Sequence, residues 1–190
     1  MKLHKIIGID PGVSGGIAVM AKTGFSIYKM PITTTLKKKR DKKNGGFKDV
    51  KDNKTDILAF NELLKDQSEG LDVMVFIEKV SAWPSDTDDA GKRFMIQKML
   101  KNYDQMIAVI TVLGLRYVEV TPQSWQKGLG FTNIGSKKIL RKKAYRDYAK
   151  KLCPDLKITN ETSDAVCIAQ HGMRLTSLTP YLLEGKIQNG

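Results

Sequence analysis

Cysteine is almost missing from this chain of 190 residues: there are two, Cys153 and Cys167. They lie apart in helix-like segments and make neither a zinc pattern nor a disulfide framework, which fits a reducing cytoplasm. Histidine is as scarce, with two residues. No run of about 18 apolar residues occurs, so no candidate membrane span is present. The N-terminus passes from Met1-Lys2-Leu3-His4 straight into a strand pattern, without the layout of a signal peptide. The length fits one domain, residues 1–190, with room for a real core.

Negative charge is the minority sign. Asp and Glu number 20 against 32 Lys and Arg, a net charge of +12. The excess is focused. Lys37 to Lys54 holds nine Lys/Arg and three Asp, and Ser136 to Lys151 holds eight and one. The remainder is close to neutral. Focused basic segments are the usual footprint of a polyanion-binding face, with a solvated loop and a solvated helix face as the plain alternative.

What is present is organised around Lys5-Ile6-Ile7-Gly8-Ile9-Asp10-Pro11-Gly12-Val13-Ser14-Gly15-Gly16-Ile17-Ala18. An apolar run ends in an acid and Pro-Gly, and a second apolar run follows to Met20, so a hairpin with Asp10 at the tip of its first strand is expected. Burying an aspartate there is costly without a partner charge, and a metal ion is one such partner. An Asx-turn is the plainer role for the same side chain. The glycines allow a backbone, such as a nucleic-acid strand, to come close.

Gly24 to Met30 reads as a third strand, closed by Pro31. Residues 33–54 show no period and are expected to form a flexible basic insertion with Lys37, Lys38, Lys39 and Arg40 as phosphate contacts. Thr55 caps a helix with Ile57, Phe60, Leu63 and Leu64 on one face. Leu71 to Glu78 is a buried-type strand that again ends in a carboxylate. Two neighbouring parallel strands would bring Asp10 and Glu78 to one sheet edge, where ligand sites of α/β sheets collect.

Asp86, Asp88 and Asp89 fit the start of the next helix, and Trp83 fits either core packing or stacking on an unpaired base. Ala90 to Leu113 reads as a long helix with an apolar stripe from Phe94 to Ile110, suited to core or to a subunit interface. Leu115 to Val120 is a short strand. Thr121 caps a turn that buries Trp125. Ser136 caps a basic helix with Lys137, Lys138, Arg141, Lys142, Lys143 and Arg146 outward and Ile139, Leu140, Ala144 and Tyr148 inward. Asn160 caps a last helix with Glu161 and Asp164 on one face of its first turn. Helix-dipole matching is the plain reading of those two acids. With Asp10 and Glu78, though, four carboxylates converge. His171 is expected to be structural or at the surface.

Carboxylates without a Cys or His cluster select hard cations, Mg²⁺ or Mn²⁺. Two such ions activate water and stabilise the leaving oxygen of a phosphodiester. The chemistry this predicts is metal-dependent hydrolysis of a nucleic-acid backbone.

Gly8-Ile9-Asp10-Pro11-Gly12, Ile77-Glu78 and Glu161-Thr162-Ser163-Asp164-Ala165, in this order and at these elements, resemble the RuvC family of Holliday junction resolvases within the ribonuclease H-like superfamily. The resemblance implies an α/β fold with a mixed five-stranded sheet flanked by helices. It implies a Mg²⁺-dependent endonuclease with two ions per site. Such an enzyme acts as a homodimer on four-way DNA junctions and makes symmetric paired nicks. It maps the catalytic and metal-binding acids onto Asp10, Glu78, Glu161 and Asp164, and the dimer helix onto Ala90 to Leu113.

The chain departs from the family pattern in several places. Glu161 stands where Asp is usual. Lys127 and Lys137 or Lys138 stand for the family's lysines, with Trp125-Gln126 near one expected lysine. Trp83 stands in for a displaced aromatic, and the insertion is long. These mark a divergent or phage-type member. The rivals are a related nuclease acting on flaps, forks or RNA–DNA hybrids, a silent structure-specific DNA-binding module, and a sugar-kinase-like enzyme, for which the chain is too short.

Overall fold

In a computed structural model the described residues are 5–41, 44–81, 90–132, 134–135 and 137–187. Five strands form one mixed sheet: β1 (Lys5–Asp10), β2 (Gly16–Ala21), β3 (Gly24–Lys29), β6 (Val73–Glu78) and β7 (Arg116–Val120), in the order β3-β2-β1-β6-β7. β1 to β3 are antiparallel neighbours, and β1, β6 and β7 are parallel. The expected sheet is present.

Side chains alternate across a strand, so successive residues of β1 feed two cores. Ile6 packs with Phe76, Trp125, Tyr145 and the apolar face of α5 (Ser163–Ile187). Ile7 and Ile9 pack with Phe60 and Leu64 of α1 (Ile57–Ser68) and with Tyr103, Met106 and Ile110 of α2 (Ala90–Val112). Covering helices on both faces explain why β1 and β6 read as unbroken apolar runs. The first faces are completed by α3 (Pro122–Gly128) and α4 (Lys138–Leu152).

One position sets the approach of α5. A Cβ at Gly8 would collide with the backbone of Ala165 and Ala169. The glycine therefore lets the helix backbone lie directly on β1. The backbone that comes close is the chain's own.

Residues 33–54 are not an irregular loop. They build most of a two-stranded ribbon, β4 (Ile32–Arg40) and β5 (Phe47–Thr55), paired antiparallel in register from Ile32↔Thr55 to Arg40↔Phe47. Threonines at 33–35 favour the strand. Gly45 and Gly46, both at positive φ, close its turn. The ribbon buries almost nothing along β4, and so carries no apolar period.

Other boundaries shift for local reasons. Asp56, not Thr55, caps α1 by accepting from the Ala59 amide. Lys137 is the residue before α4, and Ser136 lies outside the described residues. On α4 the inward residues are Tyr145 and Ala149, whereas Ile139 and Leu140 are exposed. On α2 the stripe divides: Tyr103, Met106 and Ile110 are buried, but Phe94, Met95 and Met99 are exposed.

Candidate active site at the carboxyl edge of the sheet

The register Ile9↔Ile77 brings the next residues, Asp10 and Glu78, side by side at the carboxyl ends of parallel strands. Alternation aims both towards the α5 side of the sheet. Asp164 stands in the first turn of α5, buried, at the place where Gly8 admits the helix.

Each acid has a fixed partner. The Gly12 amide donates to Asp10 Oδ1 at 3.2 Å, so the Asx-turn is present as well as the acid cluster. The indole Nε1 of Trp125 donates to Glu78 Oε1 at 2.8 Å. Asp164 accepts from Lys142 Nζ at 2.5 Å and from Ser163 Oγ at 3.2 Å.

The electrostatics show three acids that feel one another. Burial raises the pKa of Asp10, the charge of Asp164 raises it further, and the Gly12 amide and Lys142 pull it back. Burial likewise pushes Glu78 up to about 7, with Asp10 and Asp164 adding to it and Trp125 and Lys142 opposing. Desolvation and mutual repulsion here outweigh the single ammonium of Lys142 at Asp10 and Glu78. A hard divalent cation is the counter-charge whose chemistry suits an all-carboxylate donor set. Among the described residues, however, no three acidic, histidine or cysteine side chains are drawn in closely enough to hold an ion as they stand. Lys142 supplies the nearest positive charge.

Glu161 is set apart. α5 begins at Ser163, so Glu161 lies in the preceding turn and not on the face of Asp164. Threonine side chains hold that turn: the Glu161 amide donates to Thr159 Oγ1 and the Thr159 amide to Thr162 Oγ1, both at 3.2 Å. Such local bonds compete with helix. The Glu161 carboxylate pairs with Lys29 at 2.7 Å.

A cavity of about 170 Å³ opens beside the acids, lined by Glu78, Asp164, Lys138, Arg141, Lys142 and Tyr145. Of the expected nucleic-acid contacts, Lys138, Arg141 and Lys142 therefore reach the site. Lys127 and Lys137 are exposed outside this lining. Lys37, Lys38, Lys39 and Arg40 lie on the ribbon. Trp83 is outside the described residues. His171 is buried against Gly128, a packing role. Sequence reasoning missed the Trp125–Glu78 bond, the Lys142–Asp164 pair and Lys29. These contacts join residues distant in the chain, and no local pattern announces them.

No protein-family model matches the chain, and no curated protein matches it. Among solved structures, the mixed five-stranded sheet with its helices has counterparts at the level of the fold. The particular likeness is to RuvC. Thermus thermophilus RuvC in complex with a Holliday junction substrate superposes with a TM-score of 0.51 at 12% identity, over 88% of this chain and 91% of that one. A second Thermus thermophilus RuvC structure gives 0.50 at 12% identity, over 90% and 96%. The fold expected from the motifs is the fold observed.

Proposed function

We propose that this chain is a divalent-metal-dependent endonuclease that resolves four-way DNA junctions. The observation that carries the reading is the placing of half-buried Asp10 and Glu78 and buried Asp164 at one edge of a RuvC-like sheet, where desolvation and the neighbouring acids raise the pKa of Asp10 and Glu78. Asp10, Glu78 and Asp164 would hold Mg²⁺ or Mn²⁺, two ions per site, with Glu161 at the rim. The bound ions would supply charge neutralisation and a water of lowered pKa for attack on phosphorus.

The chain's own groups do the rest. Asp10, anchored by the Gly12 amide, and Glu78, anchored by Trp125, keep their carboxylates in place before DNA arrives. Lys142 donates to Asp164, and a cation held at Asp164 would free that ammonium for a phosphate. Lys138 and Arg141 line the approach to the acids. Lys127, Lys137, Lys37, Lys38, Lys39, Arg40 and Trp83 would add contacts to flanking DNA. Phosphate contacts of this sort position the substrate without reading sequence.

A homodimer with paired, symmetric nicks fits the exposed Phe94, Met95 and Met99 on α2, an apolar patch suited to a second copy. Both cysteines are free and buried, as suits a cytoplasmic protein of a bacterium or phage-infected cell.

The test is cleavage of labelled four-way junction, duplex, flap and RNA–DNA hybrid with Mg²⁺ and with EDTA, beside Asp10→Asn. Paired nicks on the junction alone, absent with EDTA and in the variant, are expected. Preference for flap or hybrid would move the substrate. Tight binding without any cutting would leave a DNA-binding module.

A further inference from the structure

The ribbon β4–β5 divides into two halves of different electrostatic character. Its base is neutralised and tied down. Asp52 accepts Lys37 at 2.6 Å and Lys98 of α2 on its other oxygen. The two ammonium groups hold the Asp52 carboxyl down at about 2. Thr33 donates to Asp56, and Thr34 to Asn53. The distal part keeps an excess of positive charge, with one loose ion pair, Lys48 to Asp41 at 3.8 Å. Between Lys38 and Lys51 there are seven Lys/Arg and two Asp. Lys39 stands directly opposite Lys48, and Arg40 opposite Phe47. Like charges facing each other across a strand pair destabilise it. Two strands alone are marginal in water. A tip built this way is relieved by a polyanion.

Its place in the fold points the same way. β3 runs parallel to β1, and Lys29 at its end is in line with Asp10 through Gly16. The ribbon therefore starts close to the sheet edge that carries the acids, three residues beyond Lys29. Nine residues of β4 at about 3.4 Å each give the ribbon a length of about 30 Å. That is close to one turn of duplex DNA, about 34 Å. Phe47 is 74% exposed at the far end, beside Arg40. An exposed aromatic among cations suits stacking on bases opened at a branch point.

We propose that the distal ribbon is a DNA arm: Lys39, Arg40 and Lys48 grip the backbone of a duplex arm, Phe47 stacks at the branch, and the Lys37–Asp52–Lys98 clamp sets its aim from α2. This rests on branched DNA being the substrate of the acid centre. Asp52 is a positioning residue, since it touches the ribbon and α2 and not the DNA.

The experiment measures binding of a labelled four-way junction and of linear duplex in EDTA across a salt series, so it does not depend on cleavage. Each phosphate contact contributes about 0.9 to the slope of log affinity on log salt, so Lys39→Ala/Arg40→Ala/Lys48→Ala lowers it by about 2.7. Phe47→Ala weakens junction binding about tenfold and leaves the slope unchanged, because stacking carries no charge. Asp52→Asn adds one unit of positive charge and Lys98→Met removes one. Both break the clamp, and both lower the preference for junction over duplex.

A triple variant with the wild-type slope overturns the arm. Tighter binding by Asp52→Asn and weaker binding by Lys98→Met, with preference intact in both, overturns the clamp. A wild type that binds junctions but never cuts removes the nuclease reading and leaves the ribbon standing. A wild type that cuts while the triple variant binds normally removes only the ribbon.

Discussion

The indole of Trp125 donates its single N–H to Glu78 across 47 residues of sequence, closing the gap between α3 and the end of β6 at 2.8 Å. The bond steadies the charged form of a carboxylate that burial is pushing towards neutrality. The same ring packs edge-on against Tyr145, with centroids 4.9 Å apart, so Glu78 is held by the core itself.

Trp125→Phe keeps most of the ring packing and removes the donor. In the metal-free protein, the Glu78 carboxyl, followed by carbon NMR, titrates at about 7 in the wild type and higher in the variant. An unchanged midpoint would mean that the indole does not support the charge.

The raised Glu78 gives the metal-free protein an uncommon pH dependence. Below 4.5, folded and unfolded states both hold this proton. Between 4.5 and about 7 the unfolded chain ionises first, so folded stability falls as pH rises, by up to about 3 kcal/mol, and is flat above. Asp10 acts in the same direction. Denaturant unfolding in EDTA at pH 4.5 and 8 checks this, because Glu78→Gln should gain on the wild type as pH rises. Mg²⁺ should restore wild-type stability at pH 8 and do little for Asp10→Asn. Equal responses of the two proteins to Mg²⁺ would argue against a cation at these acids.

Asp164 and Glu161 should separate cleanly. Asp164→Asn removes an acid from the buried cluster, and junction cleavage falls to background. Glu161→Gln loses only the Lys29 pair, and its rate falls about tenfold, the scale of an outer partner. Rates under excess enzyme decide it, and equal losses would place Glu161 among the ligands.

Gly8→Ala tests the seat of α5. The added methyl meets the backbone of Ala165 and Ala169, and neither can yield as a side-chain tip could. Overpacking of this kind costs about 1–3 kcal/mol or more. The variant should melt well below the wild type, and a normal melting point would show that α5 sits further from β1.

Much of this was legible in the chain because buried elements advertise themselves. β1 and β6 are apolar runs with acids at their ends, so the fold and the Asp10–Glu78 pair could be read directly. The ribbon could not, since a strand pair exposed on both faces has no hydrophobic alternation to detect. The shared face expected for Glu161 and Asp164 holds only inside a helix, and the threonines delay the helix start to Ser163. Phe94, Met95 and Met99 follow the same stripe as Tyr103 and Ile110, and periodicity cannot say where along a helix the covering partner stops.

The close seating of α5 on β1 has a consequence in time. Two of the three acids are in place once the strands pair, but Asp164 arrives only with the last helix, more than 80 residues after Glu78. A chain still being synthesised thus carries a half-built centre. The step that finishes the hydrophobic face is also the step that completes the acid cluster, so on the proposed function a partly made or unfolded copy would lack a working centre.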